Sequence, residues 1–463
     1  MADPQFAYPF YPVQFTIEGV PFQTSEATAL LAALAADPLP TDLVIISHGW
    51  NNNIDDAKSL YSGLVAQLAD QVAKLPALKG RSFLTCGILW PSKKFEDTDL
   101  IPSGAASLND SVQEPQLINR VNDLSNLLQG KGWAGEKQDA TVQANLASVL
   151  SSVSSWSDDP GVRSNVVELI RQLVPATAAD TEDASSLFFK LKPESLITNL
   201  SRSLNPPAIT PGANAASLDP FRVSSQGGLG GAASFRDVLG GLNAALMHYL
   251  NYVTYYIMKA RAGDVGVKGV EPLMEKVRAA RPDIRIHLIG HSFGCRVVAS
   301  ALNALPAGDA VRPNTVTLLQ GAFSHNGFAS KFDGSTDGGF RQVLVQKKVR
   351  GPILITHTHN DTAVGVAYPI ASRLAGHVAS ALGDENDIYG GLGSNGAQNA
   401  DTTPERVTGT LLDVGGSYPF AAGSTSSKPY NLLADRFIHE HSDIVHPEIA
   451  YAQATAMASP DAQ

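Results

Sequence analysis

The sequence predicts an α/β protein: a mostly parallel sheet flanked by helices and carrying one large, mainly helical insertion. Short β-branched runs alternate with segments of helical spacing through most of the chain. A G-x-S-x-G stands between one such run and one such helix, and the alternation breaks off between residues 95 and 235. Regular alternation joins neighbouring parallel strands by helical crossovers, which cover both faces of the sheet.

Taken in order, residues 42–47 (Asp-Leu-Val-Ile-Ile-Ser) form a strand ending at a turn cluster, His48-Gly49-Trp50-Asn51-Asn52-Asn53. Residues 57–69 are helical, with Leu60, Leu64, Val65 and Leu68 on one face. Residues 81–90 read as a strand stopped by Pro91-Ser92, and residues 242–262 as a long helix with an aromatic face of Tyr249, Tyr252 and Tyr256. A strand through Ile284, Ile286, Leu288 and Ile289 precedes the G-x-S-x-G, and a helix through 297–302 follows it. Strands at 315–319 and 351–356, a helix at 367–382, a last strand at 430–434 and a final helix from about Pro447 complete the pattern.

Two regions depart from it. Within 95–235, residues 141–153, 166–173 and 187–200 carry helically spaced apolar residues, whereas 205–231 is rich in Pro, Gly, Ser and Ala and reads as loop. The insertion leaves from the edge of the sheet where ligands bind in such folds, which predicts a cap over the site, an insert lying away from it being the alternative. The organisation is therefore a core from 1–94 and 236–463, with a cap at 95–235. Residues 390–428, rich in Gly, Ser and Thr, read as a long loop. The sequence shows no internal repeat.

Bulk properties narrow the classes of function. The chain has 463 residues, 44% of them hydrophobic and 17% charged, enough to fill a sizeable core. A formal net charge of −10 argues against nucleic acid as a partner. No apolar run is long enough for an integral membrane segment. The first residues, Met-Ala-Asp-Pro-Gln-Phe, lack the charge and apolar stretch of a secretory leader, so the expected location is cytoplasmic, with signal-less export as the alternative. Cys86 and Cys295 fall inside core elements and are expected to be free, buried thiols.

The chemistry centres on Gly290-His291-Ser292-Phe293-Gly294. A serine on a sharp strand-to-helix turn projects its hydroxyl clear of the backbone, and the flanking glycines leave room for so tight a turn. A neutral hydroxyl needs a base, and the base needs an acid to orient it. Asp361 follows a strand, 69 residues after Ser292, and is the candidate acid; Asp443 and Asp435 are the alternatives. His441, on the loop after the last strand, is the candidate base, with His439 and His446 as neighbours. The oxyanion hole calls for two backbone N–H groups, assigned to Phe293 and Trp50. His48 is read as bracing its turn, while Asn51, Asn52 and Asn53 fix that loop through their side chains or begin the next helix.

Four motifs in this order, His48-Gly49-Trp50-Asn51-Asn52, Trp90-Pro91-Ser92, Gly290-His291-Ser292-Phe293-Gly294 and His441-Ser442-Asp443-Ile444, resemble the α/β-hydrolase superfamily, and within it a lineage of bacterial esterase/lipase-like serine hydrolases. The resemblance spans about 40–90 and 235–450, and implies the α/β-hydrolase fold with Ser292, Asp361 and His441 as catalytic triad. The insertion at 95–235 departs from the common pattern, in which a lid follows a later strand.

The expected activity is hydrolysis of carboxylic esters, small or lipid-like, through an acyl-enzyme and without a cofactor. Lipase, thioesterase, polyester hydrolase and acyltransferase activities use the same triad. A contrasting expectation is a non-catalytic binding protein of the same fold. A rival motif, His357-Thr358-His359-Asn360-Asp361, spells the zinc-binding H-x-H-x-D of metallo-hydrolases, but Thr362 stands where that pattern has histidine.

Overall fold

The structure is a computed structural model that describes residues 5–50, 52–92, 112–133, 135–176, 182, 185–201, 241–308, 311–361, 364, 388–400, 407–423 and 427–463. Its strands are β1 (Phe10–Gln14), β2 (Asp42–Ser47), β3 (Phe83–Leu89), β4 (Arg285–His291), β5 (Thr315–Leu319), β6 (Ile353–His357), β7 (Val407–Thr410) and β8 (Pro429–Leu433). Its helices are α1 (Thr24–Leu34), α2 (Ile54–Lys74), α3 (Glu114–Gln129), α4 (Ala140–Ser152), α5 (Pro160–Arg171), α6 (Ser185–Lys190), α7 (Pro193–Ser201), α8 (Leu242–Asp264), α9 (Glu271–Ala280), α10 (Phe293–Ala304), α11 (Arg341–Val345), α12 (Leu392–Asn395) and α13 (Pro447–Met457).

The eight strands form one sheet in the order β1-β3-β2-β4-β5-β6-β8-β7, and every pair is parallel. β2 and β3 are buried along their whole length, which explains their near-continuous apolar runs: a parallel sheet is covered on both faces. Side chains alternate between two cores. Leu43, Ile45, Ile286, Leu288, Val316 and Leu318 face the core shared with α1, α8, α9 and α10. Val44, Ile46, Ile289, Leu319 and Leu354 face the core shared with α2 and α13.

The order of chain progression reverses between β2 and β4, which creates a crevice at the carboxyl ends of these strands. Register aligns those ends: Ser47 lies opposite Gly290, His291 opposite Leu319, and Leu319 opposite Thr356. Residues that follow β2, β4, β5 and β6 are thereby delivered to one edge.

The described insertion helices build outward from α8, against which α3 and α7 pack. Tyr249, Tyr252 and Tyr256 are buried there; the Phe188 ring stacks on Tyr249 at 5.4 Å and meets Tyr256 edge-on at 5.0 Å. The buried Arg261 guanidinium donates to the Pro91 carbonyl at the end of the β3 run (2.7 Å) and to the Leu127 carbonyl of α3 (2.9 Å). Apolar residues of the insertion belong to the same continuous core as one face of the sheet. The insertion also reaches the loop after β5, where Ser324 Oγ donates to the Glu182 carbonyl (3.1 Å) and the Gly339 N–H to its carboxylate (2.8 Å).

Several expectations are corrected. The helix expected at 187–200 is two, α6 and α7, because Pro193 cannot continue a helix and instead opens the second. The region 390–428 is not simply loop, since its described residues include α12, β7 and a 3-10 turn at Pro419–Ala422. β7 is a four-residue edge strand exposed along most of its length, so it carries no apolar alternation to read. β1 and α1 also escaped the sequence reading, β1 being short and containing Pro12. The expected helix at 367–382 and loop at 205–231 lie outside the described residues. Both cysteines are free and buried. Among the described residues no helix is long and apolar enough to cross a membrane.

Candidate active site

β4 runs into Ser292, and α10 begins at the next residue. Ser292 has φ 56° and ψ −123°, a left-handed conformation that side chains disfavour and that costs of order 1–3 kcal/mol. The surroundings enforce it. A Cβ on Gly294 would run into the carbonyls of Ser47 and His48, and one on Gly290 would lie 2.6 Å from the Gly294 carbonyl. The Ser292 N–H donates to the Leu319 carbonyl (3.0 Å), and its own carbonyl accepts from the Ala322 N–H (3.1 Å). The strain thus holds the hydroxyl at the head of α10, over the crevice between β2 and β4.

His441 stands on the loop between β8 and α13, and Asp361 four residues after β6. The Ser292 hydroxyl donates to His441 Nε2 (2.8 Å), and His441 Nδ1–H donates to Asp361 Oδ2 (2.8 Å). That pattern fixes the tautomer, with the proton on Nδ1. Asp361 Oδ1 accepts the Val364 N–H (3.0 Å). Burial opposes charge on Asp361, but the adjacent His441 and these hydrogen bonds outweigh it and hold the carboxyl below its ordinary value. Burial likewise opposes charge on His441, and the Asp361 carboxylate outweighs it, raising the imidazole above its ordinary value. A base of that kind, in contact with a hydroxyl, can take its proton during attack on a carbonyl.

The turn after β2 closes on the serine from the other side. A Cβ on Gly49 would collide with Ser292 Cβ and lie 3.0 Å from Ser292 Oγ. Trp50 follows Gly49, and its ring meets Phe293, the first residue of α10, edge-on at 5.6 Å. The first N–H groups of a helix have no intrahelical acceptor, and the Phe293 N–H is the first of α10.

His48 braces this turn. Its Nε2 accepts the Trp90 N–H (3.2 Å), its Nδ1 lies 2.9 Å from the Gly49 carbonyl, and its ring stacks on Trp90 at 5.5 Å. Burial pushes its pKa down to about 4, so it stays neutral. The two readings of the asparagine run both hold: the Asn52 amide donates to the Trp50 carbonyl (3.0 Å), and Asn53 caps α2 through a reciprocal pair with Asp56. Asn51 lies outside the described residues.

The competing residues are engaged elsewhere. Asp435 accepts from His359 Nδ1 (2.8 Å) and the Thr358 hydroxyl (2.8 Å). Asp443 joins His439 (3.3 Å) and His446 (2.7 Å) within its own turn. The H-x-H-x-D residues diverge, because His359 is exposed on Asp435, His357 is buried, and Asp361 serves His441. Among the described residues no group of three or more His, Cys, Asp or Glu could hold a metal ion.

Two residues of the site were missed. His291 is buried, and its Nε2–H donates to the His441 carbonyl (3.0 Å), tying the loop that carries His441 to the end of β4. Gln320, immediately after β5, donates from Nε2 to Asp361 Oδ2 (3.1 Å). An amide in Leu-Leu-Gln-Gly is chemically silent in sequence; its place at a strand's carboxyl end is the only signal it carries. Compared with known proteins, the chain matches no family model, no curated protein and no solved structure.

Proposed function

We propose that the chain is a serine hydrolase of the α/β-hydrolase fold that cleaves carboxylic esters. The observation that carries this reading is the hydrogen-bonded series Ser292–His441–Asp361, with both links at 2.8 Å and its hydroxyl on a strained strand-to-helix turn. His441 Nε2 takes the Ser292 proton as Oγ bonds to the acyl carbon, and the carbonyl electrons move onto oxygen. The backbone N–H groups of Trp50 and Phe293 hold that oxyanion, a role supported by the contact of Gly49 with Ser292 and by the place of Phe293 at the head of α10. Collapse expels the alcohol, which leaves with the proton from His441. Water then attacks the acyl-enzyme by the same route in reverse. The insertion built on α8 serves as the cap over the acyl group, and the substrate is a small or lipid-like ester.

The test is labelling by a fluorophosphonate together with turnover of p-nitrophenyl esters from acetate to palmitate, in wild type and Ser292→Ala. Serine-dependent labelling and turnover are expected, and the best acyl length measures the pocket. Ester turnover that persists in Ser292→Ala would sink the proposal. Thioester or acyl-transfer substrates would keep the same acyl-enzyme and change only the leaving group or the second nucleophile.

A further inference from the structure

We propose that Gln320 is a positioning residue that holds Asp361 in line with His441, and that α12 is the bracket that holds Gln320; this rests on the serine-hydrolase reading above. Gln320 is fully buried and has φ 49°, so a second non-glycine residue of the site occupies the left-handed region. Its Nε2 donates to two acceptors at once, Asp361 Oδ2 (3.1 Å) and the Gly393 carbonyl (3.0 Å). Asp361 Oδ2 is the same oxygen that receives His441 Nδ1–H. Turning the amide over would place its oxygen against two acceptors, so the donor side must face the acid.

The amide oxygen has no partner among the described residues. Left-handed backbone and an unpaired buried acceptor are two destabilising features on one residue. Such costs concentrate where geometry serves a site rather than stability.

The bracket spans the same gap. The Gly393 carbonyl also accepts the Thr358 N–H after β6 (2.9 Å), the Gly393 N–H donates to the Gly321 carbonyl after β5 (2.9 Å), and the Leu392 N–H donates to the Phe323 carbonyl (2.8 Å). A Cβ on Gly393 would lie 2.6 Å from the Gln320 carbonyl carbon and 3.0 Å from Asp361 Oδ2, so only glycine fits. One backbone unit thereby locks the turn after β5 to the turn after β6, with the Gln320 amide between them. With Val364 N–H on Oδ1 and Gln320 on Oδ2, the carboxylate plane cannot rotate away from the imidazole.

The experiment measures the fluorophosphonate labelling rate constant from pH 6 to pH 9 for wild type, Gln320→Met and Gln320→Glu, with folding checked by circular dichroism. Methionine keeps the size but cannot donate. Its labelling is expected to slow by roughly ten- to a hundredfold, with a deficit constant across pH. The introduced carboxyl of the glutamate variant faces Asp361 and, through Oδ2, His441. Protonated, it can donate O–H to Oδ2 in place of the amide; ionised, it repels Asp361. Its deficit is therefore expected to widen by about tenfold as pH rises. Labelling within about twofold of wild type in either folded variant at every pH overturns the proposal, as does a glutamate deficit that is flat with pH. If the methionine variant does not fold, the glutamate profile decides alone. A wild type that does not label at all removes the serine-hydrolase reading, and this proposal with it.

Discussion

Two hydroxyl–imidazole–carboxylate series lie at opposite edges of the same sheet. At the carboxyl edge, Ser292 Oγ, His441 and Asp361 are linked at 2.8 and 2.8 Å. At the amino edge, Thr315 Oγ1 lies 2.8 Å from His287 Nδ1, and His287 Nε2 lies 2.9 Å from Asp42 Oδ1. By distance alone they are equivalent. The second is closed off, with His287 and Asp42 wholly buried, whereas the His441 side chain is 20% exposed. Arg81 pairs with Asp42 as well and takes up its charge. Burial accordingly drives the His287 pKa below its ordinary value, whereas that of His441 is raised. Thr315 sits in a regular strand, with no strained turn to project its hydroxyl. Geometry makes a relay; partial exposure and a basic imidazole are what set the carboxyl-edge series apart as the candidate for catalysis.

The largest expected effects test that contrast directly. Ser292→Ala should abolish fluorophosphonate labelling and lower ester turnover by about 10⁴-fold or more. Thr315→Val should leave labelling within about twofold and cost roughly 1 kcal/mol in urea denaturation. Loss of labelling in the valine variant would erase the distinction between the two edges.

Replacing the acids comes next. Asp361→Asn should slow labelling by about 10³- to 10⁴-fold, because an amide no longer selects the Nδ1–H tautomer of His441. Asp42→Asn should leave the labelling rate intact while lowering stability by about 3–5 kcal/mol, since the mostly buried Arg81 loses its counter-charge. A stability change below 1 kcal/mol, read from chemical denaturation, would show that the Arg81–Asp42 pair does not stabilise the amino edge.

The pH dependence gives a smaller effect. His441 must be neutral to accept a proton, and its pKa is raised, so labelling should fall on acidification with a midpoint above 6.5. Asp361→Asn should move that midpoint down, because the carboxylate is what raises it. A wild-type midpoint at or below 6.5 would contradict the coupling.

Stability should respond in the opposite sense at the two histidines. The folded pKa of His441 lies above its unfolded value, so its contribution is complete below pH 6.5 and is lost as pH rises through the folded value. The folded pKa of His287 lies below its unfolded value, so its contribution is present above pH 6.5 and is lost as pH falls. Asp42 and Asp361 are also lowered, and their contributions are lost as pH falls below about 3.8. Melting temperatures should therefore drop steeply toward acid, and less steeply in Asp42→Asn. An unchanged acid slope in that variant would place the linkage elsewhere.

The fold was legible because its signals are local. Apolar strand runs, helical spacing on α2 and the proline at the start of α13 each act within a few residues. The same holds for the strained turn, where a strand, two glycines and a helix lie next to one another in sequence. The acid's surroundings were not legible in this way. Gln320 meets Asp361 across 41 residues and Gly393 across 73, and α12 is a four-residue turn inside a Gly- and Ser-rich stretch that reads as loop. Among the crowded histidines the sequence favours His441 only by its place on the loop after the last strand. His441 is distinguished from His439 and His446 by where the loop after β8 passes Ser292, and Asp443 is removed from contention by its own neighbours.

The sequence by itself determined the alternation of strands and helices, the strand-to-helix turn at Ser292 and the small set of residues able to act with it. Steric and hydrophobic preferences of adjacent residues are enough for that. The tertiary structure decided that His441 and Asp361, rather than their neighbours, join Ser292 in one series, which groups hydrogen-bond to that aspartate, and which of two relays of similar distances is left partly exposed. Hydrogen-bond partners, burial and the resulting pKa directions depend on chain segments brought together only by the sheet's register, and no local pattern encodes them.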